Sequence, residues 1–271
     1  MQLRNIQHLT RWLVLISFIA FGAHQLGYGQ FVTRAVGAPP VWIPAQKFWA
    51  DATGIAMIVL ALAAGYGKRA AAISLGSICF LSALLLHLPR AMEHPLTGSS
   101  WVYFGKGLAL AGCAFTVAAG LYRDSQALDR KWLLLYGKTS LGAFMVLSGI
   151  LHYVYDVFVV SLLPSSIPWH FFWAYFAGVL LILGGIGMAL PRTTQAATLL
   201  SGVMILSWVP LVHIPLAFKD FGAAKSTVPV FEALAFGSSA ILAFATEMCD
   251  RTTSKRYREV REAKPGVPDH A

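Results

Sequence analysis

Ile43-Pro44-Ala45-Gln46-Lys47-Phe48-Trp49-Ala50-Asp51-Ala52-Thr53-Gly54 returns, altered, as Ile167-Pro168-Trp169-His170-Phe171-Phe172-Trp173-Ala174-Tyr175-Phe176-Ala177-Gly178. The shared Ile-Pro, Phe-Trp-Ala and Gly all recur at an offset of 124 residues. Outward from this stretch the order persists. Gly76 and His87-Leu88-Pro89 recur as Gly202 and His213-Ile214-Pro215 at an offset of 126, His24 matches His152 at 128, and Phe104 matches Phe231. Chance likeness between apolar sequences rarely keeps such an order. The expectation is therefore an internal duplication, and a repeat of this kind decides the fold before local detail does.

Each copy carries four apolar runs. They are 12–28, 48–65, 70–88 and 103–122 in the first copy, and 140–157, 171–190, 196–214 and 230–248 in the second. A helix needs about 20 residues to cross a bilayer. The runs are rich in Leu, Ala and Gly and lack the short alternation of barrel strands, so they read as helices. Of the 271 residues, 57% are hydrophobic and only 12% charged, with a mean hydropathy of +0.63. A water-soluble domain carries about 25% charged residues. The expected fold is all-α and integral to the membrane: about eight transmembrane helices as two parallel four-helix bundle repeats. The boundaries fall at 1–124 and 138–249 for the two units, 125–137 for a cytoplasmic linker and 250–271 for a charged tail, read as surface-exposed or disordered. Four spans per unit, an even number, would relate the copies by an axis along the membrane normal. Gly54, Gly76, Gly178 and Gly202 would let helix backbones approach closely.

The net charge of +9 is spread between the apolar runs and over both chain ends. That is a topology signal rather than a nucleic-acid-binding patch. Fifteen of the 21 Lys and Arg fall on the side of the termini, whereas Arg34, Lys47, Arg90, Lys106, Lys219 and Lys225 fall on the other. This bias predicts a cell-membrane protein with both termini cytoplasmic. No Ala-x-Ala-like cleavage site follows the first run, which is expected to remain as a span. Cys79, Cys113 and Cys249 form neither a disulfide framework nor a zinc motif and read as small buried hydrophobes. Cys79 and Cys113 lie on neighbouring spans of one half, which leaves a redox pair open.

The half-unit resembles the DoxX-like family of four-helix membrane proteins. The matching features begin with Phe21-Gly22-Ala23-His24, Tyr28-Gly29-Gln30-Phe31-Val32, Val41-Trp42-Ile43-Pro44 and Phe48-Trp49. A Gly-containing second span follows, then Gly67-Lys68-Arg69-Ala70-Ala71 and Leu86-His87-Leu88-Pro89-Arg90-Ala91. The second half departs from the pattern with Pro191-Arg192-Thr193 and with Leu216 in place of Arg90. The resemblance implies the four-helix fold. It implies less about activity: some DoxX-like proteins are membrane subunits of thiosulfate:quinone oxidoreductase, and others look like maturation factors or chaperones. One fold hosts many functions.

His24, His87, His152 and His213 are the leading site candidates, one near the outer end of the first and third span of each half. A titratable side chain in a membrane span is costly unless it is paired or faces a cavity. The plainer alternative is an imidazole bonded to a neighbouring helix, with the following proline ending the span. The functional alternative is an outward-facing His-lined pocket. Flanked by Trp49 and Trp173, it would suit a quinone; haem ligation needs two histidines facing across the bundle, and two per half are too few for a closed metal site. Asp51 and Lys106 are expected to pair in a salt bridge. Three functions remain open: a quinone-interacting or redox-linked membrane subunit with partner subunits, a non-enzymatic membrane chaperone or assembly factor, and a small-solute transporter.

Overall fold

The computed structural model describes residues 2–33, 37, 39–40, 42–122, 124, 126–165, 167–219 and 224–263. Val41, Arg34, Arg123 and Lys264, which entered the sequence reading, lie outside the described residues, as does the tail from 264 onward. Among the described residues, eight helices are long and apolar enough to cross a membrane: Gln2–Tyr28, Gln46–Gly65, Arg69–Glu93, Gly98–Gly120, Leu128–Val154, His170–Ala189, Thr194–Lys219 and Ser226–Thr252. They are called the first to eighth spans below. Among the described residues there is no strand. The chain is an all-helical, multi-pass membrane protein.

Consecutive spans pack on one another all the way round, and the eighth closes back on the first. The fourth and eighth also touch each other. They form the centre, with 61% and 67% of their apolar windows buried against 17–39% for the other six. Each is therefore packed on several sides, whereas the outer spans leave one face to lipid. The starts of odd-numbered spans meet the ends of even-numbered ones, as Gln7 of the first span shows by bonding Thr246 of the eighth at 3.2 Å. Two faces follow. The terminal face carries both ends of the helix array, and the loop face carries the connections after the odd-numbered spans.

Close packing rests on backbone-to-backbone crossings. A Cβ placed on Gly54 of the second span would lie 2.9 Å from the carbonyl oxygen of Gly22 on the first. The fifth and sixth spans cross in the same way, where a Cβ on Gly178 would lie 3.1 Å from the carbonyl oxygen of Gly149. In lipid, where apolar burial gives little drive for association, such contact supplies the packing. The second and sixth spans both start from a non-glycine residue in the left-handed region, Ala45 (φ 56°) and Trp169 (φ 55°).

The structure departs from the expected boundaries in several places. The fifth helix starts at Leu128, inside the stretch read as linker. Its polar start is tolerated because the buried Arg130 places its guanidinium on Asp250 at 2.7 and 3.0 Å and its Nε on the carbonyl of Ala119 at 3.1 Å. The last helix spans Ala224–Ala263, so the described part of the charged tail is helical. A separate short helix, Asp156–Ser161, follows the fifth span. Finally, the third and seventh spans do not stop at Pro89 and Pro215. Each passes through a π-helical turn, Ala83–His87 and Val209–His213, and continues for more than a further turn. Proline donates no hydrogen bond and crowds the carbonyl four residues earlier. Widening the helix over the turn before it relieves that crowding without ending the helix.

Candidate functional site

Besides Arg130 with Asp250, two further ion pairs lie inside the bundle among the described residues. Lys106 of the fourth span pairs with Glu232 of the eighth, their side chains only 15% and 4% exposed. Lys138 of the fifth span pairs with Glu247 of the eighth at 12% and 17% exposure, and also reaches Thr194 Oγ1 of the seventh at 3.2 Å. The first pair replaces the expected Asp51–Lys106 bridge. Asp51 instead takes Lys47, one turn earlier, at 2.6 Å on the exposed end of the second span. The second span packs on the first and third, so Asp51 is kept away from the centre where Lys106 points. Glu232 uses one oxygen for Lys106; the other, Oε1, is buried with no hydrogen-bond partner.

The four candidate histidines go to separate neighbours. His24 stacks on Tyr28 (centroids 5.0 Å apart) and bonds Thr227 Oγ1 of the eighth span at 2.6 Å through Nε2. Its Nδ1 is buried without a partner. His87 is 2% exposed and its Nε2 also lacks a partner. It lies beside Gly107 and Tyr103 of the fourth span and beneath Gly37 of the first loop, where an added Cβ would sit 3.2 Å from Nε2. His152 hands Nδ1 to the carbonyl of Ser148 on its own helix at 2.7 Å. His213, at the end of its π-helical turn, lies within Coulombic reach of both Glu232 and Lys106. Trp49 (47% exposed) and Trp173 (42% exposed) stand on the outside of the bundle, each against the preceding phenylalanine, as an interfacial aromatic belt requires.

Cys79 and Cys113 are free and buried, and Cys113 Sγ reaches the carbonyl of Ala235 at 3.7 Å. Among the described residues, no group of three or more His, Cys, Asp or Glu is arranged to hold a metal ion.

A groove of about 390 Å³ opens on the side of the bundle near the terminal face. Ile73 of the third span, Phe115 of the fourth, and Trp132, Leu133 and Tyr136 of the fifth line it, with Tyr122 and Asp129 at its rim. Tyr136 stands edge-on to Phe80 and Phe115, with centroids 5.8 and 5.4 Å away. The Arg69 guanidinium covers the Tyr122 ring at 4.1 Å. The sequence reading missed this groove because its lining comes from three helices at unrelated spacings. It also missed Lys138, Glu247, Arg130 and Asp250 as interior groups, although Glu247 stands within an otherwise apolar run, a visible sign of an inward-facing charge.

Comparison with known proteins leaves the residues to speak for themselves: no family model matches the chain, and no curated protein or solved structure matches it either.

Proposed function

We propose that the chain is a DoxX-like protein of the cell membrane, a duplicated four-helix unit with both termini in the cytoplasm, and that it serves as a quinone-interacting, redox-linked membrane subunit. Three features support the duplication. The left-handed Ala45 and Trp169 stand 124 residues apart, and the two π-helical turns start 126 apart, the offsets found in the sequence. The packing of the spans also maps onto itself when each span is exchanged for the one four places on. The first span packs on the eighth and the fifth on the fourth, so each half presents its first helix to the other half's last.

The groove between the third, fourth and fifth spans carries the quinone reading. It opens where a lipid-soluble ring diffuses, and its walls are the flat faces and edges of Phe115, Trp132 and Tyr136. Aromatic rings attract one another in offset or edge-on arrangements. The groove lies toward the terminal face, at the opposite end of the spans from the four histidines. This moves the expected quinone contact away from them.

Purified protein in native-lipid nanodiscs tests the reading. Organic extraction should recover co-purified quinone, and added quinone should quench Trp132 fluorescence saturably. Tyr136→Ala should reduce both, whereas His24→Ala and His152→Ala should leave both intact. Protein that holds no quinone and shows only non-saturable quenching would contradict the proposal.

A further inference from the structure

At the start of the second span, Lys47 and Asp51 neutralise one another across one helical turn at 2.6 Å. The residues 124 positions on, Phe171 and Tyr175, are both aromatic. They lie across the same turn of the sixth span with ring centroids 6.2 Å apart. The exchange takes the cation out of this corner of the loop face, yet an acid is still present. Asp156, which opens the short helix after the fifth span, accepts the Tyr175 hydroxyl on Oδ2 and the Val157 N–H on Oδ1, each at 2.7 Å. Neither donor carries a charge. Among the described residues, no lysine, arginine or histidine pairs with Asp156.

The rings around it are fixed in place. Tyr153, in the last turn of the fifth span, stacks on Tyr175 with centroids 5.3 Å apart and planes 3° apart. Its hydroxyl also donates to the Tyr175 carbonyl at 3.0 Å. Tyr175 is therefore tied to the neighbouring segment through its ring, its hydroxyl and its backbone. Tyr153, Phe171 and Tyr175 nevertheless remain 43%, 49% and 37% exposed. A carboxylate without a counter-ion attracts a cation by charge, and an aromatic face attracts one through its ring quadrupole. A primary ammonium is strongly hydrated and gives up its water reluctantly. An N-methylated ammonium has no N–H to satisfy, and its methyl groups pack on aromatic faces.

We propose that Asp156, Tyr153, Tyr175 and Phe171 form a binding site for a quaternary ammonium group at the loop face of the second half. The group is either the headgroup of a choline lipid or free choline. Asp156 supplies the countercharge and the rings supply the contact surface. The first half has no equivalent site, because Lys47 already occupies Asp51. The site stands apart from the groove near the terminal face and does not depend on a quinone binding there.

Saturation-transfer NMR on the N-methyl protons of choline tests it, with the full-length protein in phosphatidylglycerol nanodiscs and empty nanodiscs subtracted. Choline should bind saturably. The uncharged alcohol in which carbon replaces the nitrogen should not. Asp156→Asn keeps an oxygen and should weaken choline by about threefold, the scale of an exposed charge contact. Tyr153→Leu should weaken it by about threefold, the scale of an exposed cation–ring contact. Asp51→Asn should change nothing. Gel filtration reports whether each variant is folded, and where Tyr153→Leu is not, Asp156→Asn decides. Phosphatidylcholine nanodiscs separate the two sources. A lipid-headgroup site is already filled there and shows no saturable uptake of choline, whereas a solute site binds choline equally in both lipids. Three results would each overturn the proposal: no saturable choline binding in phosphatidylglycerol, equal binding of the uncharged alcohol, or parental affinity in Asp156→Asn.

Discussion

A lysine and a glutamate inside a lipid-embedded bundle are stable there only as partners. Lys106 and Glu232 occupy neighbouring central spans, and each would be an uncompensated charge without the other. Removing one member of such a pair ordinarily costs about 3–5 kcal/mol, while replacing both with apolar groups of similar volume is tolerated. Glu232→Leu should therefore lower stability in detergent by that amount, and adding Lys106→Met should restore most of it. A single variant as stable as the parent would show that the pair is not formed. At the loop face the balance differs. Asp156 accepts the Tyr175 hydroxyl at 2.7 Å and the Val157 N–H at 2.7 Å. The Tyr175 hydrogen bond, then the Val157 one, hold its carboxyl below the usual carboxylate range. Because the folded value is depressed, the stabilising contribution is present above the ordinary Asp value of about 3.9 and fades as pH falls through the folded one. Hydrogen exchange across Asp156–Ser161 should accelerate on acidification in that window, and Tyr175→Phe should weaken the pH dependence. Equal acid sensitivity in both proteins would contradict this.

At the scale of the helix, the sequence showed where apolar runs lie but not where helices end. Run-finding placed the spans well because lipid demands length and apolarity. It lost the starts of the first and fifth helices, where Arg4, Arg11, Arg130 and Lys138 looked like loop charges. Arg130 and Lys138 are paired inward with Asp250 and Glu247, partners more than a hundred residues away that no local window contains. Two prolines misled the reading in the same way, because a π-helical turn can absorb what normally ends a helix. Glycine spacing, by contrast, was legible, and it leads to a prediction. Gly54→Leu forces a side chain against the Gly22 carbonyl and Gln25, and overpacking of this kind costs about 1–3 kcal/mol. Gly27→Leu, with no atom within 4 Å of an added Cβ, should cost nothing measurable. Thermal unfolding of the two variants compares them directly, and equal losses would show that the first and second spans do not cross at Gly54.

For the whole molecule, composition alone announced a membrane protein, and the eight helices agree with it. The candidate site was half legible. Lys106 stood out as a polar residue in an apolar span, but its meeting with Glu232 depends on the closed ring of helices, which brings the fourth and eighth spans together. The basic bias likewise reads differently once Lys106 and Lys138 are seen to face inward; the remaining loop and terminal basic residues still favour the terminal face. Everything else rests on eight crossings with both ends of the array on one side. Single cysteines introduced at His8, Tyr66, Asp124, Arg192 and Arg251, and at Trp42, Leu96 and Leu162, into a protein lacking its own three, can be labelled in intact cells with a membrane-impermeant thiol reagent. Trp42, Leu96 and Leu162 should label from outside, and the other five only after the membrane is opened. Any of the five that labels in intact cells alongside those three would contradict the eight-span arrangement.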